Sequence, residues 1–200
     1  MAKVEFFYDV SSPWTYFACQ RIQDFCARNQ LELIWKPFLV GGVFNKVNPS
    51  VYARRENPVP PKDDYYQKDM RDWARYLNID MIKPSVFPLN SVKALRGAFV
   101  AIEAGLAAEY SEACFNAYWV ENRDISQEQE LRTVAAQAGL EPNDFFEAIA
   151  RPDIKQKLFE TTDELITRGG FGSPTFFLND EDMYFGNDRI ELMQAALDRA

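Results

Sequence analysis

The sequence predicts an α/β protein whose four-stranded layer is built from the two ends of the chain, with a helical insertion between them. Three observations predict it. Residues 1–38 read as strand, helix, strand. The middle of the chain is a succession of amphipathic helical segments. The end returns to two short strands and a last helix.

KVEFFYDV and LELIWKPF are rich in aromatic and branched residues, as strands are. Between them residues 13–29 predict a helix, with Trp14, Phe17, Ala18, Ile22 and Phe25 near one face. Such a βαβ unit implies a parallel pair and a right-handed crossover. From Val40 to Lys62 the text turns to Gly, Pro and Asn with little periodicity, which predicts a long loop or two. Five segments then show helical spacing: KDDYYQKDMRDWARYL, LNSVKALRGAFVAIEAG, EYSEACFNAYWVEN, SQEQELRTVAAQAG and PDIKQKLFETTDELITRG. Asn90 or Ser91, and Ser126 with Gln129, suit N-termini; Gly139 suits a C-terminus and Pro152 a start. GSPTFFL is a strand led by Pro174, NDED a turn, MYF a short strand, and GNDRIELMQAALDRA an amphipathic helix. The chain thus divides into residues 1–40 with 165–200 as one domain and residues 41–164 as the inserted helical one.

Composition excludes several classes. Apolar residues make up 47% of the chain and charged residues 26%, enough for a full core in a folded protein. A net charge of −8 argues against a nucleic-acid partner, which calls for a basic footprint. No apolar run reaches the length that spans a bilayer, and MAKVEFFYDV lacks the pattern of a secretory signal. Cys19, Cys26 and Cys114 are an odd set, which suggests reduced thiols in a cytoplasm. Cys19 and Cys26 lie about 10.5 Å apart along a helix axis, too far for a disulfide. Histidine is absent, which removes Ser–His and Cys–His dyads and His-ligated zinc, so no metal is expected.

Chemistry concentrates at three corners. In DVSSPWTYFA, Ser12 stands at an N-cap and Pro13 at the first helical position, where a redox protein of similar layout carries Cys-x-x-Cys. Ser12 then either caps the helix through the N–H of Trp14 or Thr15, or donates to the sulfur of a ligand. A helix N-terminus carries roughly half a positive charge and stabilises a thiolate. A site without a cysteine can still activate a thiol that arrives with a ligand. A serine-hydrolase role lacks both a histidine and a G-x-S-x-G turn. In GFGSPTFF, a cis Pro174 would turn the Ser173 backbone outward to pair with an extended ligand; otherwise Ser173 is a turn residue. In FGNDR, Asn187 or Asp188 either caps the last helix or meets a ligand ammonium. A fourth feature is charge: residues 36–62 hold Lys36, Lys46, Arg54, Arg55 and Lys62 against Glu56 alone. That excess marks either a solvated loop or a small-anion site.

FYDVSSPWTYF, WKPFLVGGVF, ENPVPPK, FPLNS, GFGSPTFF and FGNDR together resemble the 2-hydroxychromene-2-carboxylate isomerase family, relatives of kappa-class glutathione transferases with a DsbA-like thioredoxin fold. The resemblance spans essentially the whole chain. It implies a thioredoxin-like four-stranded sheet with an inserted helical domain, glutathione as cofactor, and Ser12 as the catalytic residue holding its sulfur as thiolate. It further implies a cis Pro174, Ser173 pairing with glutathione through its backbone, and Phe185, Gly186, Asn187 and Asp188 at the γ-glutamyl end. Lys62 matches a position near the glutathione, Asn57 and Asn90 match positions near the substrate, and Lys46 is the candidate for the substrate carboxylate. Thr15 departs from relatives that carry a second Ser. The loop from Gly41 to Arg55 fits the isomerases and the kappa transferases equally.

The implied reaction interconverts 2-hydroxychromene-2-carboxylate and trans-o-hydroxybenzylidenepyruvate, an aromatic 2-oxo acid of aromatic catabolism, by reversible thiolate addition, bond rotation and elimination. The alternatives are a kappa-like transferase or peroxidase and, without catalysis, a thioredoxin-fold module that adds a peptide strand at the Pro174 edge. A DsbA-like disulfide oxidoreductase is disfavoured, since neither Ser12 nor Thr15 can form a disulfide. The resemblance suggests a homodimer; Tyr65, Tyr66 and Trp73 would face either a partner or the core.

Overall fold

The structure, a computed structural model, describes residues 2–199. Strand β1 (Lys3–Tyr8) runs into helix α1 (Pro13–Arg28) and returns as β2 (Glu32–Pro37). β1 and β2 pair in parallel, with Phe6 beside Trp35. β3 (Thr175–Leu178) pairs antiparallel to β1, and β4 (Asp182–Phe185) antiparallel to β3, so the sheet order is β2-β1-β3-β4. The chain closes with a 3-10 turn (Asn187–Arg189) and α10 (Ile190–Leu197).

β1 is central and covered on both faces, and its alternation sorts two cores. Val4, Phe6 and Tyr8 face the larger one, with Phe17 and Ile22 of α1, Phe176 of β3 and Met193 of α10. Phe7 faces a smaller one with Phe38, Val43, Leu165 and Phe177. Glu5 is buried on that second face, and Arg168 at 2.6 Å and Lys36 at 3.4 Å neutralise it. A buried carboxylate needs that company.

The segment from Val40 to Lys62 corrects the expectation of a long loop. It folds as α2 (Val40–Val47), α3 (Ser50–Glu56) and the first turn of α4 (Pro60–Leu77). Gly41 and Gly42 each cost a helix about 1 kcal/mol, which hides α2 from local reading. Packing overrides them: Val43 is fully buried, and a Cβ on Gly42 would lie 3.2 Å from Thr162, so the glycine lets α2 settle closely on α9 (Pro152–Thr167).

The insertion continues through α5 (Val92–Glu103), α6 (Ala107–Trp119), α7 (Glu128–Gln137) and α8 (Pro142–Ala150). Helix α8 is not among the expected segments, its cap position carrying none of Ser, Thr, Asn or Asp. Glu141 caps it instead, its carboxylate accepting from the N–H groups of Asn143 and Asp144. Ser126 does not cap α7; it turns back to Asp124, and Gln127 takes the cap position. Gly139 does end α7 with φ +85°. The two-domain division is a proposal, and α9 crosses its boundary at residues 164 and 165. Of the α4 aromatics, Tyr66 packs edge-on to Trp14 and Trp73 lies against Arg21, while Tyr65 is exposed.

Candidate active site

The three corners meet at the head of α1. After β1 the backbone turns tightly, Ser12 N–H donating to Asp9 C=O at 3.1 Å. Pro13 opens the helix and Ser12 caps it, its Oγ accepting from Thr15 N–H at 3.3 Å. The same hydroxyl donates to Ser173 C=O at 3.0 Å. Ser12 is therefore a cap whose proton faces away from the helix, toward the Ser173–Pro174 peptide, which is cis. Its oxygen is anchored and its hydrogen can turn.

Beneath it the Ser173 hydroxyl lies 2.7 Å from Thr15 Oγ1 and accepts from Asp9 N–H at 2.9 Å. Thr15, the second position of a Cys-x-x-Cys pattern, is fully buried in this polar joint. Asp9 is also fully buried, and no cation pairs with it among the described residues. Its Oδ1 accepts from Ser11 N–H at 2.9 Å. Its Oδ2 accepts from Val40 N–H at 2.9 Å and Ser91 Oγ–H at 3.1 Å. Burial pushes its carboxyl up, against the opposing pull of these hydrogen bonds.

The third corner joins through Gly186 N–H, which donates to Pro174 C=O at 3.1 Å. Gly186 has φ +112°, a conformation in which a side chain is strained. Phe185 lies on Phe171 with ring centres 4.4 Å apart, and a Cβ on Gly172 would meet its ring at 2.6 Å. Asn187 is buried; its carbonyl accepts from Arg21, and its side-chain Nδ2 finds no partner among the described residues. Asp188 is exposed and holds Arg189 at 2.9 Å. Its charge reaches α4, where burial, Asp72 and Asp188 together push the Asp69 carboxyl up.

Two cavities border this corner. The smaller, about 230 Å³, is lined by Asp9, Ser11, Tyr52, Arg55, Phe87 and Asn90 among others. The larger, about 610 Å³, lies between α4 and residues 78–84 and touches the corner only through Pro13. Phe87 is common to both. Ser11 lines the smaller cavity and Pro13 the larger, so Ser12 stands between the two in the chain.

The structure brings together Ser12, Ser173, Pro174, Gly186 and Asn187, with Phe185 and Asp188 at the rim. Asn90 lines the smaller cavity while its side chain accepts from Val92 N–H at 3.3 Å. Asn57 ends α3 and Lys62 lies in the first turn of α4; both are exposed, and neither lines a cavity described above. Lys46 is not brought to the cavity: it is exposed and paired with Asp163 at 2.6 Å. Among the five cations of the charged segment, Lys36 and Arg54 also hold carboxylates. Arg55 lines the smaller cavity, stands 5.6 Å from the Phe87 ring, and has no ion pair among the described residues. The local charge excess contained Arg55, but nothing in the sequence singled it out. Asn48 was also missed; its Nδ2 donates to Phe171 C=O at 3.2 Å, beside the Ser173 loop.

The corner has the groups a glutathione-like ligand requires. A hydroxyl and a helix N-terminus can face a sulfur, an exposed carboxylate can face an ammonium, and the orphaned Nδ2 of Asn187 lacks an acceptor. A buried donor without a partner is costly, and a ligand oxygen would satisfy it.

Comparison with known proteins fits this geometry. The chain is 29% identical to 2-hydroxychromene-2-carboxylate isomerase of Pseudomonas putida, over 98% of this chain and 94% of that one. It is 27% identical to human glutathione S-transferase kappa 1, over 95% and 88%. A solved 2-hydroxychromene-2-carboxylate isomerase superposes with a TM-score of 0.82 at 26% identity, covering 98% of this chain and 94% of that one. A probable DsbA oxidoreductase from Streptomyces coelicolor reaches 0.83 over 100% and 89% at 16% identity, a likeness of fold alone. The family model for the DsbA-like thioredoxin domain matches residues 3–198, so the chain belongs to the DsbA-like thioredoxin family.

Proposed function

We propose that this protein is a glutathione-dependent isomerase that interconverts 2-hydroxychromene-2-carboxylate and trans-o-hydroxybenzylidenepyruvate. The observation that carries the reading is the Ser12 hydroxyl, anchored by Thr15 N–H and aimed at the cis-proline loop in a corner without cysteine. Full-length relatives named as isomerases and as kappa transferases support a glutathione-related enzyme. Glutathione, when bound, supplies a thiolate for reversible addition to the conjugated double bond, whose rotation and restoration change the isomer.

Everything else falls to the chain's own residues. Ser12 turns its hydrogen from Ser173 C=O to the sulfur, and the α1 N-terminus adds its dipole, so the thiolate form is favoured. Ser173 and Pro174 offer the backbone edge for the cysteinyl unit. Gly186, Asn187 and Asp188 hold the γ-glutamyl end, with Phe185 as its wall and Lys62 near the opposite end. Arg55 and Asn90 orient the carboxylate of the 2-oxo acid, Arg55 through the paired N–H geometry that suits a carboxylate. Asn57 remains an outer candidate for substrate contact, while Lys46, held by Asp163, yields the carboxylate to Arg55. No imidazole is required, since electrostatic preorganisation supplies the activation.

The test is the isomerisation rate with and without glutathione, beside conjugation to a chloro-nitro-aromatic electrophile. Glutathione-dependent isomerisation without net consumption of the thiol supports the reading. Conjugation without isomerisation would instead support the kappa-like transferase, which full-length relatives also favour. Strand addition by peptides with no response to glutathione would favour the binding module. A cytoplasmic location and a homodimer belong to the same proposal. Three unpaired, buried thiols support the first. No described helix is long and apolar enough to cross a membrane.

A further inference from the structure

Asp9 has no part in the roles assigned so far, yet its carboxylate joins more of the site than any other side chain. It leaves the end of β1 and accepts hydrogen bonds from the β1–α1 turn at Ser11, from α2 at Val40, and from the head of α5 at Ser91. Its own backbone serves the corner as well, the carbonyl accepting from Ser12 N–H and the amide donating to Ser173 Oγ. Val40 is the first residue of α2, and the cap residue Leu39 makes no side-chain cap bond. Asp9 supplies that missing acceptor from a different part of the fold. Ser91, the cap residue of α5, turns its hydroxyl to Asp9 rather than to its own helix. Two helix N-termini therefore converge on one buried carboxylate, the arrangement that favours an anion. These same segments wall the smaller cavity, with Leu39, Val40, Gly41 and Phe44 at α2 and Phe87–Ser91 before α5, and Tyr52 and Arg55 of α3 complete it.

We infer that Asp9 is a positioning residue of the proposed reaction, which in its ionised form holds Ser11, α2 and α5 at the spacing that shapes the substrate cavity beside Ser12. The inference rests on the isomerase reading. All three partners of the carboxylate donate. Two are backbone N–H groups that cannot turn round, so only a hydroxyl, that of Ser91 or that of Ser11, can reverse its bond when Asp9 takes a proton. Protonation thus weakens the link to the turn or to α2. Burial, which raises the carboxyl, brings that event above the ordinary aspartate range. The sign follows: the positioned site is present above the folded-state pKa and is lost as pH falls through it. The other titratable groups around Asp9 are Arg55 of α3 across the cavity, Tyr8 of β1 and Tyr118 of α6. Both tyrosines are raised, by burial first and by Asp9 among other charges, and titrate far above this interval.

The experiment is the pH profile of kcat/KM for the 2-oxo acid at saturating glutathione, in wild type, Asp9→Asn and Ser91→Ala. The ultraviolet titration of the bound thiolate and a thermal melt accompany each. Asp9→Asn sets an NH2 against a donor in either orientation. Its kcat/KM should be lower at neutral pH by about one to two orders of magnitude, the scale of a small misplacement. Its acid limb should be absent, while glutathione still binds. Ser91→Ala removes one donor to the ionised form and should move the acid limb to higher pH without unfolding the chain. A folded Asp9→Asn with the wild-type rate and limb overturns the inference. If that variant does not fold, a Ser91→Ala profile superimposable on wild type overturns it instead. A wild type without glutathione-dependent turnover overturns the isomerase reading itself, and this inference with it.

Discussion

The hydroxyl of Ser12 donates to the carbonyl of Ser173 across 3.0 Å, joining the first turn of α1 to the cis-proline loop 161 residues later. In a dithiol protein of this fold the same corner would carry a reactive sulfur. Here it carries a hydroxyl whose hydrogen rests on Ser173 C=O and is free to turn.

Asn187→Ala separates the needs of the ligand from those of the fold. Its Nδ2 has no partner in the free protein, so removing it should change stability by less than about 1 kcal/mol. The Kd for glutathione should rise about tenfold, the worth of one hydrogen bond of roughly 1.4 kcal/mol. Calorimetric titration beside a thermal melt measures both. A large loss of stability with unchanged Kd would make Asn187 a structural residue.

Arg55 and Lys46 make opposite predictions for substrate binding. Arg55→Ala should raise KM for the 2-oxo acid by about 10- to 100-fold, as loss of a charge-assisted pair does. Lys46→Ala removes an exposed pair with Asp163 and should leave KM and stability nearly unchanged. Steady-state kinetics at saturating glutathione decides between them, and the reverse order would return the carboxylate to Lys46.

Gly186→Ala tests the FGNDR corner. At φ +112° an added Cβ is strained and would lie 2.7 Å from Asp188 Oδ1. The expected cost is about 1–3 kcal/mol. Weaker glutathione binding should accompany it, because the same turn orients Asn187 and Asp188. Denaturant unfolding with a binding isotherm measures the two effects, and a fully neutral substitution would contradict the geometry.

The three thiols should be silent in the native state. Burial pushes Cys26 and Cys114 up to about 12 and raises Cys19 further, so almost no thiolate exists at pH 8. A colorimetric thiol reagent should find no fast-reacting group in the folded protein and three after denaturation. Rapid native reaction would mean that a cysteine, not a borrowed thiol, carries the chemistry.

What the sequence revealed follows the range of the forces involved. β1, β2 and the head of α1 were legible because alternation, Ser12 and Pro13 act within a few residues. Helix α2 was not, since Gly41 and Gly42 speak against a helix locally and the burial of Val43 under α9 overrides them; α3, short and without a buried residue, offers no apolar stripe to read. The charge excess around Arg54 was visible, but its allocation was not. Lys46 is claimed by Asp163, 117 residues away, which leaves Arg55 at the cavity. Asp9 reads as an ordinary end-of-strand residue until the fold brings Val40 and Ser91 to its carboxylate.

The central claim is that Ser12 activates a thiol the protein does not itself possess. The most direct measurement is the ultraviolet titration of bound glutathione in wild type and Ser12→Ala. The account predicts thiolate absorbance well below pH 8.5 in the wild type, moved up by about one to two units in the variant, as loss of a donor to a charged sulfur requires. Thiolate appearing at the same pH in both proteins would contradict it and leave Ser12 as a helix cap.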